Sequence, residues 1–460
     1  MCELRGPEEP VSLGRSSGVF GVRNASGKIA TVETCPTAAG TEPTHSKSMR
    51  ATVLVGFAEA LSAPEVVWSL VDSGFEVSAF GRRGSRSALR HSRYVTVIDV
   101  TAPEEDAAAT VREVGKLVRS LFDSPQSGQV VLFPLDDAAV WVCDRFSGAA
   151  SEGMRGVVAR TGFALAGPSG KQAAIALDKI AQIEIAHRSG FNVLPTRVAR
   201  TKGEVLQDGD SFPLVLKPSQ AVACGDGRVR KGRSWICANR KELERAAYSW
   251  TEVVPLLIQP YVVGTGEGVF GLSRVGGVDA LSGHRRIRMM NPHGSGSSAC
   301  ASQLVPRQLS AAAEKFVEIA DWHGLFMIEM LRDSQGTAWF MEFNGRPWGS
   351  LALARRQGLE YPAWNVRSTL DPQWRLATRP AVRPNLVCRH LGRELMHPLF
   401  VLKGPKSVAL TQWPPVGKSL LELLHFGRDQ AFYNWRRDDK RVFVADCLNT
   451  LLDNLIKKER

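Results

Sequence analysis

The sequence predicts an α/β protein with a doubly wound parallel sheet first, then a two-lobed α+β domain and a helical C-terminal module. Three observations support this order. Short apolar segments alternate with helical segments up to about residue 134, which is typical of a parallel sheet. From Phe212 onwards, apolar strands instead flank a glycine-rich, basic loop. Beyond residue 375 the chain is rich in Trp, Arg and Leu, and helices are expected near 418–426 and 444–457.

The first domain is predicted from four apolar strands and two helices. The strands are expected at Ala51–Gly56, Glu76–Phe80, around Tyr94–Asp99 and at Gln129–Pro134, with helices at about Pro64–Ser73 and at Ala107–Phe122. Asp136 and Asp137 follow the fourth strand at its carboxyl end, where open α/β sheets bind ligands. An aspartate that caps a helix would occupy the same place, so both interpretations stay open.

The middle of the chain begins with another predicted helix and continues with a glycine-rich loop. The helix is expected over Ile175–Ser189, where Gly190 stops it. The loop Ala223–Ser234 contains three glycines and four basic residues. Glycines permit close approach of backbone N–H groups to phosphate, but an ordinary flexible hairpin loop has the same composition.

The composition is that of an ordinary soluble globular protein. The chain has 460 residues, enough for two or three domains, with 44% hydrophobic and 23% charged residues. The eight cysteines include no CxxC pair and no zinc-like spacing, so we expect a protein of the reducing cytoplasm. The net charge of +12 comes from dispersed basic residues, which does not favour nucleic acid as a partner. No apolar run approaches the ~20 residues that span a bilayer.

Composition changes predict the domain boundaries. Residues 1–48 are rich in Ser, Gly, Thr and Pro without periodicity, so we expect a disordered N-terminal extension. We place the first α/β domain at 49–168 and the two-lobed domain at 169–375, with its small lobe at about 200–262. The helical module then covers 376–460.

The segment Phe326–Ser350 predicts a hairpin with acidic residues on one face. If its turn is centred between Gln335 and Gly336, Glu329 lies directly opposite Glu342. Asn344 shares this face, and so does Arg346 if the strand continues that far. Opposed carboxylates repel each other unless a cation lies between them, and Mg²⁺ prefers such oxygen ligands. The alternative is a solvated face of an ordinary hairpin.

An ordered series of segments resembles the ATP-grasp superfamily over roughly residues 50–375. These segments are LAGPSGKQAAIALDKIAQIEIAHRSGFNVLPT, FPLVLKPS, LLIQPYVVGTGEGVF, HRRIRMMNPHGSGSS, MIEM and MEFNGRPWGS. The domain that precedes them resembles the usual N-terminal domain of that family. Each segment is weak by itself, whereas their order and spacing together are specific.

This resemblance implies a nucleotide site. It implies that Lys179 and Lys217, at the start of a helix and the end of a strand, neutralise phosphates of ATP. The family connector, which meets the adenine edge, corresponds to Gln259, Tyr261 and Val262, although the family often has Glu at the first of these positions. The resemblance further implies that Glu267 binds the ribose hydroxyls.

A basic strand follows the connector. Alternation places Arg286 and Arg288 on one face and Arg285 on the other, and Gly294–Ser298 resembles a mobile lid. The two arginines on one face could hold a substrate carboxylate or stabilise a transferring phosphoryl group. A solvated basic edge strand is the alternative.

The family likeness implies an ATP-dependent carboxylate–amine ligase of the amino-acid or peptide ligase type, which works through an acyl phosphate. ATP and two Mg²⁺ ions are the implied cofactors, with Mn²⁺ as an alternative metal, and the metal ligands are Glu329, Glu342 and Asn344. The implied catalytic residues are Arg346, Arg286 and Arg288. A small-molecule carboxylate and an amine are the expected partners, and an oligomer is compatible with the sequence. The alternatives are a bicarbonate-using carboxylase, a carbamoyl-phosphate-type enzyme and a non-catalytic nucleotide-binding module.

Overall fold

The computed structural model describes residues 51–124, 128–153, 163–207, 211–292, 294–405, 407, 409, 413–424, 427 and 430–456. The predicted extension of residues 1–48 lies outside the described residues. Met49–Arg460 form one compact unit, and its predicted division into three parts stays a prediction. No helix in the described ranges is both long and apolar enough to cross a membrane.

A five-stranded parallel sheet comes first, which confirms the predicted α/β class. Its strands are β1 (Ala51–Gly56), β2 (Glu76–Arg82), β3 (Thr96–Val100), β4 (Gln129–Pro134) and β5 (Phe163–Leu165). Their order across the sheet is β3-β2-β1-β4-β5. The accompanying helices are α1 (Ala63–Asp72), a short 3₁₀ helix (Ala88–His91), α2 (Ala107–Phe122) and α3 (Asp137–Gly153).

The carboxyl end of β4 leads directly into α3, and its two aspartates have different roles. The Asp136 carboxylate accepts a hydrogen bond from the backbone N–H of Ala139 at 2.7 Å and thus caps the helix. The same side chain forms an ion pair with Arg82 at 3.2 Å. Asp137 instead forms an ion pair with Arg346. The capping interpretation is therefore confirmed for Asp136, while ligand binding at this strand end stays a prediction.

The single helix predicted over Ile175–Ser189 is wrong, because the structure contains two. They are α4 (Lys171–Leu177) and α5 (Lys179–Arg188), and β6 (Asn192–Val193) follows. Asp178 has an extended backbone between the helices, and its side chain accepts a hydrogen bond from Ile180 N–H at 2.8 Å. This cap starts a new helix at Lys179, so its side chain projects from a helix N-terminus.

A small antiparallel sheet follows, together with a separate hairpin. The elements are β7 (Arg197–Ala199), α6 (Lys202–Leu206), β8 (Leu214–Pro218), β9 (Ala223–Gly225), β10 (Arg228–Arg230), β11 (Trp235–Cys237), α7 (Arg240–Ser249) and β12 (Leu256–Pro260). The small sheet has the order β11-β8-β12-β7, and β9 pairs only with β10. Leu216, Leu243 and Ile258 belong to the core that joins this sheet to α7.

The predicted glycine-rich loop forms the β9–β10 hairpin, which is docked on the first domain. Gly227 accepts a hydrogen bond from Ala107 N–H at 2.8 Å, and Val229 N–H donates to Pro103 at 2.7 Å. The Val229 side chain is buried in the core of the parallel sheet. The tip of the loop therefore packs against protein, and only the residues that follow it approach the cleft described below.

An eight-stranded sheet is the largest layer of the molecule. It comprises β6 and the later strands β13 (Thr265–Arg274), β14 (Gly277–Asn291), β15 (Ser295–Gln303), β16 (Gly324–Arg332), β17 (Ala338–Asn344), β18 (Val387–Arg389) and β19 (Gln430–Phe432). The order is β19-β18-β15-β14-β13-β16-β17-β6. Its helices are α8 (Arg307–Ile319), α9 (Leu351–Arg355) and α10 (Tyr361–Leu370). Stacked rings of Phe316 and Phe343, 4.7 Å apart, anchor α8 to β17.

The last part of the chain is only partly helical. It contains α11 (Leu391–Leu402), α12 (Val416–Leu424) and α13 (Lys440–Ile456), but β18 and β19 extend the large sheet. Helix α11 was not predicted, and Pro398 lies inside it. Asp439, just before α13, accepts hydrogen bonds from Trp68 Nε1 at 3.0 Å and Ser92 Oγ at 2.6 Å. These bonds hold the end of the chain against the first domain.

Candidate active site

A cleft of about 870 Å³ lies between the small sheet and the large sheet. Its volume is in the usual range for small-molecule sites. Nine of the twelve residues predicted for the site line it. These are Lys179, Lys217, Gln259, Tyr261, Val262, Arg286, Arg288, Glu329 and Glu342. The hairpin predicted from the sequence thus meets both lysines in one cavity.

Glu329 of β16 and Glu342 of β17 lie directly opposite each other, as expected from the sequence. The register arises differently, however. The residue pairs closest to the turn, such as Arg332 with Ala338, place the centre of the turn at Gln335, not between Gln335 and Gly336. A one-residue bulge at Met341 then shifts the register of the remaining pairs. This bulge brings the two glutamates opposite each other. We call Glu329, Glu342 and the neighbouring Asn344 the acidic floor.

The acidic floor has the donor groups of a Mg²⁺ site. Asn344 Nδ2 donates a hydrogen bond to Glu342 Oε1 at 3.2 Å, which leaves the amide oxygen as a ligand. Arg286 Nη2 lies 2.5 Å from Glu329 Oε1 and neutralises that carboxylate. The described residues include no cluster of three or more His, Cys, Asp or Glu suited to a metal. Two carboxylates and an amide nevertheless fit Mg²⁺, which takes water and phosphate oxygens as its other ligands.

The two glutamates differ in their tendency to ionise. Burial opposes ionisation of Glu342, but the Lys179 ammonium and the Asn344 amide hold the pKa of this carboxyl below its usual range. Burial raises the pKa of Glu329 and outweighs the stabilising charge of Arg286. Glu342 is therefore the carboxylate of the floor that carries its charge most readily.

Lys217 projects from β8 towards the acidic floor. Its Nζ donates a hydrogen bond to the backbone carbonyl of Met341, at the bulge, at 3.4 Å. Burial, reinforced by the neighbouring charge of Lys179, lowers the pKa of Lys217 to about 8. The carboxylates Glu342 and Glu329 offset part of the repulsion between the two ammonium groups, and a polyphosphate would supply further anionic partners.

Arg346 lies just beyond the end of β17, which stops at Asn344. Its Nε and Nη2 donate to the two oxygens of Asp137 at 2.6 and 3.2 Å. The Asp137 carboxylate outweighs burial and raises the pKa of Arg346. Asp137 is thus a site residue whose role the sequence left open, and only its place after β4 pointed to it.

The connector after β12 offers backbone groups, while its first side chain is already engaged. Gln259 Nε2 donates to Thr196 Oγ1 at 2.7 Å, and Tyr261 N–H donates to the carbonyl of Pro213 at 2.9 Å. Among the described backbone hydrogen bonds, the N–H of Val262 has no protein acceptor. Any ligand at this edge would therefore meet main chain rather than the Gln259 side chain.

Glu267 lies apart from the cleft in this structure. Both of its oxygens accept hydrogen bonds from Arg332, each at 2.7 Å, and its side chain is buried. It is not among the residues that line the cleft. The ion pair accounts for its burial, and the geometry does not favour the ribose role implied by the resemblance.

The prediction that Arg286 and Arg288 share one face of β14 is wrong, because an irregularity between them pairs Arg286 with Cys300 and Arg288 with Ala299, neighbours on β15 that point to opposite faces. Arg286 pairs with Glu329 of the acidic floor, whereas Arg288 pairs with Glu394 at 2.5 Å and with Glu422 at 2.7 Å. Arg288 is only 9% exposed. These contacts make Arg288 an anchor for α11 and α12, although its side chain also borders the cleft.

The segment Gly294–Ser298, predicted to be a mobile lid, is mostly strand in this structure, and its mobility stays a prediction. Most of this segment is the start of β15, paired with β14 through Met289 opposite Ser297 and Asn291 opposite Ser295. The glycine and serine composition reflects a strand that lies close to other groups. Gly296 has φ +63°, and a Cβ there would lie 2.8 Å from a nitrogen of Arg393.

The Arg288 anchor leads to a stability prediction. We expect Arg288→Gln to lower the free energy of unfolding by roughly 2–3 kcal/mol, because it leaves the Glu394 charge buried with one fewer cation. Arg389 still pairs with Glu394, which limits the loss. Urea denaturation measures the change. Arg285→Gln, at an exposed position of the same strand, is the control. Its free energy of unfolding should stay within about 0.5 kcal/mol of the parent value. Equal losses of stability for the two substitutions would contradict the role of Arg288 as an anchor.

Known proteins resemble this chain in structure rather than in sequence. No family model matches it, and no curated protein matches it. The biotin carboxylase domain of Hydrogenobacter thermophilus 2-oxoglutarate carboxylase has TM-score 0.55 at 18% identity, covering 74% of both chains. The Bacillus licheniformis L-amino acid ligase has TM-score 0.50 at 17% identity, covering 71% of this chain and 75% of that one. The Aspergillus clavatus carboxyaminoimidazole ribonucleotide synthase has TM-score 0.54 at 15% identity, covering 74% and 82%.

These likenesses cover 71–74% of the chain. The first of these proteins was crystallised with MgADP, ADP and bicarbonate, and the third with ATP. At 15–18% identity the likeness concerns the fold. It agrees with the ordered segments that suggested the same superfamily from the sequence. This chain has the ATP-grasp fold.

Proposed function

We propose that the chain is an ATP- and Mg²⁺-dependent carboxylate–amine ligase that forms an amide-type bond and releases ADP and phosphate. One observation carries the proposal: Lys179 and Lys217 line the same cleft as the opposed carboxylates Glu329 and Glu342. Lysine ammonium groups suit phosphate oxygens, and the carboxylates suit Mg²⁺. Both halves of a magnesium–nucleotide complex therefore have partners in one cavity.

The nucleotide would lie along the cleft with its adenine at the connector. Val262 N–H is available there to the adenine edge, and Tyr261 contributes its backbone carbonyl. Lys179 and Lys217 would contact the phosphates. Lys231, which follows the docked hairpin, also lines the cleft and adds a third ammonium group near Asp137.

The acidic floor would hold one or two Mg²⁺ ions, with Mn²⁺ as an alternative. When bound, the metal neutralises phosphate charge and aligns the γ-phosphate. In the proposed reaction, the substrate carboxylate attacks the γ-phosphorus, and ADP leaves as an acyl phosphate forms. The amine then attacks the acyl carbon, the C–N bond forms, phosphate leaves and the nitrogen loses a proton. Arg346 and Arg286, which border the floor, would stabilise the charge of the transferring group.

The test is a phosphate-release and ADP-formation screen of the purified full chain. Single and paired amino acids and other carboxylates serve as substrates, and mass spectrometry identifies the product. We expect ADP formation that requires Mg²⁺ and depends on an acid and an amine together. A product whose mass equals acid plus amine minus water would support the ligase.

Two other outcomes would replace this proposal. ADP release that depends on bicarbonate, with no amino acid added, would indicate a carboxylating or carbamoyl-phosphate-type enzyme. ATP binding that is independent of Mg²⁺, with no ADP formed on any substrate, would indicate a non-catalytic nucleotide-binding module.

The pKa of Lys217 predicts how ATP binding depends on pH. With a pKa of about 8 in the free protein, Lys217 is protonated below pH 8 and loses its charge above it. The KM for ATP should therefore rise by roughly tenfold between pH 7 and pH 9. Lys217→Arg keeps its charge across this range and should flatten the profile. Parallel profiles for the two proteins would show that Lys217 does not titrate at the nucleotide.

A further inference from the structure

Arg393 lies in the first turn of α11, against the start of β15. Its Nη1 donates a hydrogen bond to the carbonyl of Ser297 at 3.1 Å and contacts the backbone at Gly296. The side chain is half-buried. The guanidinium has five N–H donors, and this is the one side-chain hydrogen bond that it makes within the described residues.

Arg393 differs from the other arginines near the cleft in having no carboxylate partner. Arg286, Arg288 and Arg346 each pair with a glutamate or an aspartate, whereas no carboxylate of the described residues lies within 4.0 Å of Arg393. Carboxylate partners raise the pKa of those three, while burial outweighs the charge of Asp446 and lowers the pKa of Arg393. A partly desolvated cation whose neighbouring carboxylate makes no ion pair with it would be stabilised by an anionic ligand.

Arg393 and Arg286, which pairs with Glu329 of the acidic floor, both lie near Cys300 of β15. Arg286 lies directly opposite Cys300 on β15, so both side chains project from the same face of the sheet. The Cys300 thiol lies 3.3 Å from the hydroxyl oxygen of Ser297. The backbone carbonyl of the same serine accepts the hydrogen bond from Arg393. Burial raises the pKa of Cys300, and both guanidinium groups oppose that shift. The two arginines therefore act on the same buried thiol.

We propose that Arg393 and Arg286 together bind the carboxylate of the acid substrate, next to the acidic floor. This inference rests on the proposed function. The sequence suggested that Arg288 binds the substrate carboxylate together with Arg286, but Arg288 forms ion pairs with Glu394 and Glu422. The proposal gives this role to Arg393 instead. Guanidinium groups bind carboxylates through paired hydrogen bonds, and Arg393 keeps donors for such a pair.

The C-terminal helices hold Arg393 in place for this role. Glu394, the next residue along α11, accepts hydrogen bonds from Arg288 and Arg389 and is completely buried. His390 caps the helix by accepting the Arg393 N–H at 3.2 Å. The end of the chain would thus supply a substrate-binding residue beside Arg286, which lines the cleft, although Arg393 itself is not among the lining residues.

Arginine labelling of the full chain tests this site without any turnover. Phenylglyoxal reacts with unpaired arginines, and mass spectrometry of peptides measures the rate at each position. We expect Arg393 to react at least about tenfold faster than Arg288, because the latter is bound by two carboxylates. The probes are succinate and each of the twenty L-amino acids with MgADP present, compared with sodium chloride at matched ionic strength.

Protection of Arg393 by at least one carboxylate probe, but not by sodium chloride, would support the subsite. Failure of every probe to protect Arg393 would overturn it. Full protection by MgADP or MgATP alone would also overturn it, because the ligand would then be a phosphate. Protection by a carboxylate in a protein that never forms ADP would refute the ligase and leave the anion subsite standing.

Kinetics of the substituted proteins supply the second measurement once the screen identifies an acid. Arg393→Gln should raise the KM for that acid by about 10- to 100-fold with little change in the KM for ATP. Arg393→Lys should recover part of the loss. Arg285→Gln, an exposed arginine on the opposite face of β14, is the matched control and should leave both constants unchanged. Equal rises in both KM values for Arg393→Gln would show a structural effect and contradict the subsite.

Discussion

Glu342→Gln is expected to reduce Mg²⁺-dependent ADP formation by at least about a thousandfold. Removing a single group that stabilises transition-state charge costs about 10²–10³ in rate, and a metal ligand orients the phosphates as well. Glu342 is the glutamate that ionises more readily, because Lys179 and Asn344 favour its charged form. Its neutral amide replacement has the same shape but is a poor ligand for a hard cation. A coupled ADP assay measures the loss.

The fold should survive this substitution. Loss of the Glu342 charge removes its repulsion from Glu329 and also its attraction to Lys179, and we expect these opposite effects largely to offset each other. We expect a circular dichroism spectrum and melting temperature close to those of the parent. Glu314→Gln, an exposed glutamate on α8, is the control and should retain full activity. Turnover near the parent rate in Glu342→Gln would refute the metal assignment. Loss of activity that is explained by unfolding of the variant would refute the prediction that the fold tolerates this substitution.

Lys217→Met should lower kcat/KM for ATP by about 10²- to 10³-fold, since it removes a phosphate-binding charge from the cleft. The same change should stabilise the ligand-free protein at pH 7. The folded state lowers the pKa of Lys217 to about 8, so protonated Lys217 favours the unfolded chain. Methionine fills a similar volume without the charge. The expected gain is about 1–3 kcal/mol, with solvent in the cleft keeping it below the full value of the shift.

The pH dependence of stability separates this explanation from a general packing effect. The unfavourable contribution of Lys217 is complete below its folded pKa of about 8 and fades as pH rises towards the unfolded value of 10.5. The stability advantage of Lys217→Met should therefore be largest near pH 7 and shrink above pH 8. Lys241→Met, on the exposed face of α7, is the control and should show neither effect. An advantage that is constant with pH would contradict the burial of a charge.

The sequence predicts local features of this protein well. Strands β1 and β4 and helix α2 have the predicted bounds, because each is a strong apolar or amphipathic pattern between clear stop signals. The opposition of Glu329 and Glu342 could also be predicted, since a hairpin pairs residues that are close in the chain. The predicted centre of the turn was half a residue away from the observed one. The two glutamates are nevertheless opposite each other because the bulge at Met341 shifts the register by one residue.

Long-range pairing could not be predicted from these patterns. Glu267 meets Arg332, and Arg288 meets Glu394, only because the folded sheet brings distant segments together. A charged residue on a strand has the same alternation whether its partner is a substrate or a buried glutamate. Helix α11 was missed because Pro398 interrupts the usual helical signal, although tertiary packing tolerates it. These pairings decide which predicted site residues remain free for ligands.

The docked β9–β10 hairpin has a consequence for the proposed catalytic cycle. If nucleotide enters and leaves between the small and the large sheet, as the proposed function requires, the small sheet must move away from its neighbours. The hairpin lies in the chain between β8 and β11 of the small sheet, so a movement that carries it along would break the two backbone bonds of Gly227 and Val229 to the first domain and expose the buried Val229 side chain. The dwell time of ADP would then depend on a contact that touches no ligand. We expect weaker packing of Val229 to speed product release while the rate of the chemical step stays the same.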